Sequence, residues 1–231
     1  MAAPIGLHPT ATLAERVLLP GDPARALLLA ESLLEGPKMF NHHRGLWGYT
    51  GLAPDGTPLT IQSTGMGGPS AAIVISELVD LGARRLVRAG TCGALQPALQ
   101  LGDLVTATEA IAADGTSRAL GAGERALPGP DVLPALLAVA EHAGPVVSTD
   151  LFYDPRGLER PWSAGGALAV EMECATLFAL AAARGIQAGA LLVVSDLVLP
   201  ARQRIGQKDL RAAEQRMGRA ALHALGLVGA P

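Results

Sequence analysis

Apolar residues come along this chain in short unbroken runs that alternate with stretches of helical period. RVLLP at 16–20 predicts a buried strand. Asp22-Pro23 beyond it reads as an N-cap followed by proline at the first position of a helix over 24–34. Runs at 47–52 and 59–63 flank the turn sequence Ala53-Pro54-Asp55-Gly56 and predict a hairpin. A glycine-rich loop at 65–70 leads into a helix over 71–81, and RLVR at 85–88 is a strand closed by residues 89–93. Strand patterns return at 104–112, 146–148 and 188–194. Helical patterns cover 132–143, a stretch opening at Val170 and running to about Arg184, and 208–227. Residues 113–130, rich in Gly, Pro and Asp, read as a surface excursion. With no repeat and no dividing linker, the pattern predicts one α/β layer sandwich in a single domain over 1–231. Such sheets collect ligands at the carboxyl ends of their strands. Gly21, the 65–70 loop, Arg88–Gly93 and Ser195-Asp196 all fall just past predicted strands.

Composition narrows the function classes. Of the 231 residues 49% are hydrophobic and 17% charged, which excludes a disordered chain and implies a large core with buried subunit contacts. A net charge of −3 argues against a phosphate-backbone binder. Cations are nearly all arginine, with Lys38 and Lys208 the only lysines, so an anion here is held by guanidinium forks. Cys92 and Cys174 are too few for a disulfide framework or a four-ligand zinc site. The first residues lack the basic-then-apolar order of a signal peptide, and the apolar runs are too short to span a bilayer. The expected home is the reducing cytoplasm.

Four constellations carry chemistry. In Pro20–Arg25 a strand ends, Gly21 permits close approach, and a helix begins with free N–H groups, either an anion site or an ordinary capped turn. In RAGTCG, Arg88 ends a buried strand and needs an anion, either a ligand held with the Thr91 hydroxyl or a structural carboxylate. Gly90 and Gly93 leave room for a ligand to approach the backbone. Glu171-Met172-Glu173 places two carboxylates at a strand-to-helix junction, to accept from a sugar diol or to serve a helix dipole. Asp196 follows the most apolar strand and is a candidate general acid or part of an N-cap pair. Phe152-Tyr153 is conspicuous among only seven aromatics, to cover a flat base or to plug the core.

Seven segments in order carry a resemblance: VLLPGDPARA at 17–26, NHHRGLWGYTG at 41–51, STGMGGPSAAI at 63–73, LVRAGTCGALQP at 86–97, STDLFY at 148–153, VEMECATL at 170–177 and VVSD at 193–196. The chain resembles the nucleoside phosphorylase family of bacterial purine nucleoside and uridine phosphorylases over nearly its whole length. The resemblance implies a three-layer α/β/α fold around a mixed, partly barrel-like sheet, and dimers with shared active sites joined as trimers of dimers. Gly21, Arg25, Arg88 and Thr91 would bind phosphate, with Arg44 supplied to the neighbouring subunit. Met66, Glu171, Met172 and Glu173 would bound the ribose. Phe152 would stack on the base, with Cys92, Gly93, Val170 and Ser195 lining its pocket, and Asp196 would protonate a purine at N7.

Two positions depart from the pattern. Ile5 occupies the slot of the family's N-terminal histidine, with His8 the nearest candidate. The arginine that assists the acid falls near Leu210, so Arg211 is the expected assistant, with Arg202 and Arg204 as alternatives. Uridine phosphorylases carry a Gln- and Arg-bearing insert where residues 154–170 are short and lack Gln, which favours a purine substrate although 63–97 looks uridine-type. Hydrolytic nucleosidases lack the arginine set. The implied reaction takes a purine nucleoside and inorganic phosphate as co-substrate, with no metal or organic cofactor.

Overall fold

A computed structural model describes residues 4–226. Strand β1 (Arg16–Leu19) feeds helix α1 (Pro23–Leu33), whose Asp22 cap accepts from the Ala24 N–H at 2.8 Å. There follow β2 (Glu35–Asn41), β3 (Gly48–Leu52), β4 (Pro58–Gln62) and α2 (Gly68–Asp80). Next come β5 (Arg85–Ala94), β6 (Leu104–Ala113), α3 (Gly115–Ala119), β7 (Arg125–Ala126) and α4 (Leu133–Leu137). The chain continues through β8 (His142–Thr149), α5 (Glu159–Ala164), β9 (Ala169–Glu171) and α6 (Cys174–Arg184). It ends in β10 (Gln187–Leu197), β11 (Gln203–Arg204) and α7 (Gln207–Leu225).

All eleven strands join one mixed sheet in the order β11-β10-β6-β8-β9-β5-β1-β4-β3-β2, with β7 on β6. A further pairing of β10 with β5 closes β10, β6, β8, β9 and β5 into a ring, the barrel-like part of the sheet. Alternate strand residues bury on opposite faces. Val17, Leu19 and Leu86 pack with Val74 and Leu78 of α2 and Leu177 and Phe178 of α6. Leu18, Val87 and Leu191 pack with Leu29 and Leu33 of α1 and Met217 and Leu222 of α7. Helices on both faces explain why these strands read as continuous apolar runs.

Several predicted elements change. β5 does not stop at Arg88 but continues to Ala94, because β10 pairs with it through Leu197. The helix expected over 132–143 is one turn and a half, Leu133–Leu137, since pairing of β8 with β6 claims His142 onward for the sheet. Val170 and Glu171 belong to β9, and the following helix begins only at Cys174. The surface excursion at 113–130 contains α3 and β7. The predicted end of the last helix, Leu227, lies outside the described residues.

Candidate active site

A cavity of about 610 Å³ opens at the carboxyl ends of β1, β5 and β10, within the range of a small-molecule site. Gly21, Arg25, Arg88 and Thr91 line it, together with Met66, Cys92, Gly93, Phe152, Val170, Glu171, Met172, Glu173, Ser195 and Asp196. Thus most residues singled out in the sequence converge on one hollow.

One end pairs arginines closely with carboxylates. Arg88 donates from Nε to Glu171 at 3.1 Å and contacts Glu173 through Nη2. Glu171 also accepts from the Ser148 hydroxyl and from the backbone N–H groups of Glu173 and Cys174, so it is spent on the wall and on the start of α6. Glu173 accepts from the Gly67 N–H and keeps some exposed surface, which makes it the carboxylate available to a diol. Burial pulls the Arg88 guanidinium down, but Glu173 and Glu171 outweigh it and hold it above its ordinary value. Burial likewise pushes the Glu173 carboxyl up, against the pull of Arg88. Arg88 is thus the structural, carboxylate-paired arginine of the two readings, and it also lines the cavity.

The glycines also make room within the wall itself, and of Gly90 and Gly93 it is Gly93 that lines the cavity. A methyl group on Gly90 would lie 2.7 Å from the Arg88 Cζ, so Gly90 makes room for Arg88 to fold back over its own strand. A methyl group on Gly93 would meet Val198 at 2.6 Å. Gly21 does sit in the cavity wall, where a methyl group on it would lie 3.1 Å from the Gly65 carbonyl.

At the other end the register of β10 shifts at Ser195, a bulge that adds one residue against β5 and re-aims the residue after it. Asp196, 6% exposed, accepts from the Ser195 hydroxyl at 2.8 Å and from Arg204 Nε at 3.1 Å. Arg202 is 3.8 Å from the same carboxylate and lies 4.9 Å from the centre of the Phe152 ring. Phe152 meets Tyr153 edge to face. Cys92 lies between the two ends, and burial pushes its thiol up, with Glu171 adding to the effect.

Three expected site residues lie elsewhere. Arg211 is exposed on α7 and does not line the cavity, and the arginines beside Asp196 are Arg204 and Arg202. The short β11 folds back antiparallel on β10 and delivers them there, a pairing that helix spacing cannot reveal. Arg44 and His8 are also exposed outside this chain's own cavity. They share a patch, since His8 stacks on His43 at 3.7 Å and Arg44 follows in a one-turn helix with φ +57°. Sequence reasoning missed Glu214 of α7, which pairs with Arg25 Nε at 2.6 Å. Its signal was a lone carboxylate on the buried face marked by Ala213, Met217 and Ala221.

A ring-closed sheet flanked by helices, whose strand ends hold an arginine-and-carboxylate end and an aromatic-and-acid end, suits an enzyme of the group-transfer kind. The chain belongs to the Phosphorylase superfamily, whose sequence model matches residues 15–228. It is 39% identical over 199 residues to a DeoD-type purine nucleoside phosphorylase of Geobacillus kaustophilus, covering 82% of this chain and 84% of that one. A guanosine phosphorylase of Halorubrum lacusprofundi is 39% identical over 203 residues, covering 84% and 83%. Among solved structures, a uridine phosphorylase from Vibrio fischeri superposes with a TM-score of 0.81 at 29% identity, covering 93% of this chain and 91% of that one.

Proposed function

We propose that this chain is a purine nucleoside phosphorylase that converts a purine (deoxy)ribonucleoside and phosphate reversibly to free base and (deoxy)ribose 1-phosphate. The observation that carries the reading is one cavity that brings together Arg25, Arg88 and Thr91 at one end and Phe152 and Asp196 at the other. Phosphate, held by guanidinium forks and the Thr91 hydroxyl, attacks C1′ from the face opposite the base. The C1′–N9 electron pair leaves with the base as Asp196 delivers a proton to N7, through a transition state of oxocarbenium character. Glu173 orients the sugar hydroxyls, Met66 and Met172 bound the ribose, and Phe152 stacks on the base, with Cys92, Gly93, Val170 and Ser195 around it. Positioning and preorganised charge supply most of the acceleration. Phosphate is the co-substrate, and these steps call for no metal or organic cofactor.

The anion end also supports a shared site. Two guanidiniums, Arg25 and Arg88, stand there with three carboxylates, Glu171, Glu173 and Glu214. A phosphate dianion added to that set calls for a further cation. Arg44, exposed beside His8, is suited to enter the cavity of a second copy, in a dimer that assembles as a cytoplasmic trimer of dimers. A mixed dimer of Arg44→Ala and Arg88→Ala chains then regains one intact site, and absence of complementation in such dimers counts against sharing.

Uridine phosphorolysis is the second reading, favoured by the Vibrio fischeri neighbour. The stretch between Tyr153 and Val170 argues for purine, because it is short, holds α5 and contains no Gln. Base release from adenosine, inosine, guanosine and uridine, with and without phosphate, tests all of this. Equal release without phosphate removes phosphorolysis, and a preference for uridine removes the purine assignment.

A further inference from the structure

Helix α7 turns one carboxylate toward the core. Glu214 lies among Ala213, Met217 and Ala221 and is 8% exposed, and among the described residues its only charged contact is Arg25. The two helices are drawn together one turn further on. A methyl group on Gly218 would lie 2.5 Å from Leu29, and Leu29 is one turn beyond Arg25 on α1. This close approach sets Glu214 opposite Arg25. An apolar side chain would complete the same helix face, and buried ion pairs seldom add net stability over apolar packing. The fold therefore gives no reason for a carboxylate here, whereas the cavity gives one. The pair engages Arg25 at Nε, while Nη1 is 3.4 Å from the Ala89 carbonyl. The guanidinium is thereby fixed in rotation, and its remaining N–H donors are left to the cavity that Arg25 lines beside Gly21 and Arg88.

We infer that Glu214 is a positioning residue for the anion end, holding Arg25 by Nε so that its terminal nitrogens meet phosphate. The identity of the anion rests on the phosphorolysis reading, while the positioning role rests on the geometry. The test compares the parent enzyme with Glu214→Ala, Glu214→Leu and Glu214→Gln. Glu141→Gln serves as control, because Glu141 pairs with Arg216 on the exposed side of the same helix. The readouts are KM for phosphate, KM for nucleoside, kcat, and calorimetric binding of inorganic phosphate alone.

Loss of an orienting partner costs about tenfold to a hundredfold in ligand affinity. Phosphate KM and Kd rise by that factor in the Ala and Leu variants, with nucleoside KM within about twofold of the parent. The Gln variant, which still offers Nε an acceptor, recovers most of the loss, and Glu141→Gln matches the parent. The Leu variant fills the helix face and so decides the matter if the Ala variant does not fold. Unchanged phosphate binding in Glu214→Leu overturns the role. Tighter phosphate binding also overturns it, since Glu214 would then be a competitor of the anion. So does a parallel rise in both KM values. A parent without phosphate-dependent base release removes the phosphorolysis reading, yet the calorimetric series still decides Glu214. A parent that binds no phosphate overturns both.

Discussion

At the anion end of the cavity, Arg88, Glu171 and Glu173 come from paired strands and the start of α6, and their side chains are 6%, 0% and 7% exposed. At the base end, Phe152 sits on a loop at 45% exposure, and Arg204 sits on a two-residue strand with its side chain 71% exposed. Asp196, at the same end, is buried but receives its charged partners, Arg204 and Arg202, from that exposed segment. On the proposed function, the step common to all nucleosides falls in the more buried end, and the choice of base falls in the more exposed one. A buried charge cluster and an exposed stacking site also respond differently to loss, because removing one member of the first strands its partners in low dielectric.

Arg88→Ala tests this contrast with the largest effect. It leaves Glu171 and Glu173 without their guanidinium, at a cost of about 3–5 kcal/mol in stability. It also removes an anion contact worth roughly 2–5 kcal/mol in phosphorolysis. Denaturant melts and kcat/KM measure the two losses, and activity falling at unchanged stability would separate Arg88 from the cluster. Next is Asp196→Asn. Without a transferable proton, adenosine phosphorolysis falls by about 10²–10⁴, whereas inosine and guanosine, whose O6 accepts from the new amide, lose less. Phosphate KM stays put, and an equal loss on all three purines removes the base-selective role.

Arg202→Ala is a smaller change. Its contact with the Phe152 face is worth about 0.5–2 kcal/mol, so nucleoside KM rises by roughly twofold to thirtyfold. Phosphate KM does not move, and a joint shift of both KM values would show that the two ends are not independent. The smallest effect is chemical. Burial pushes the Cys92 thiol up, so little thiolate exists at neutral pH. Iodoacetamide therefore alkylates the folded protein slowly at Cys92, as peptide mass mapping can follow, and rapid labelling would mean the cavity wall opens.

Much of the arginine-and-carboxylate end was legible because most of its pieces end a strand or begin a helix, and such junctions are written locally in Gly, Pro, Asp and apolar runs. The PGDPAR turn and the two carboxylates two residues apart are examples, whereas Arg88, inside β5, was marked by the apolar run it interrupts. Elements set by distant pairing were not legible. β2 carries Gly36 and Pro37, and five of its seven residues are exposed, so nothing in its own pattern marks a strand. β11 exists only because β10 offers it an edge, and with it went the choice of Arg204 over Arg211. The overlong helix at 132–143 failed for the same reason, since eight pairings with β6 outweigh the helical preference of its last residues. Glu214 is written plainly in α7, but its partner lies 189 residues away.

The closure of β10 onto β5 carries its own consequence. A sheet with free ends can fray from them, whereas a ring of strands has no end from which to peel. Amides such as Val87, Ala89, Leu191 and Leu192, inside that seam, then exchange with solvent deuterium only when the whole molecule unfolds. The slowest-exchanging amides of the protein then lie in β5 and β10, two strands whose carboxyl-terminal residues line the cavity.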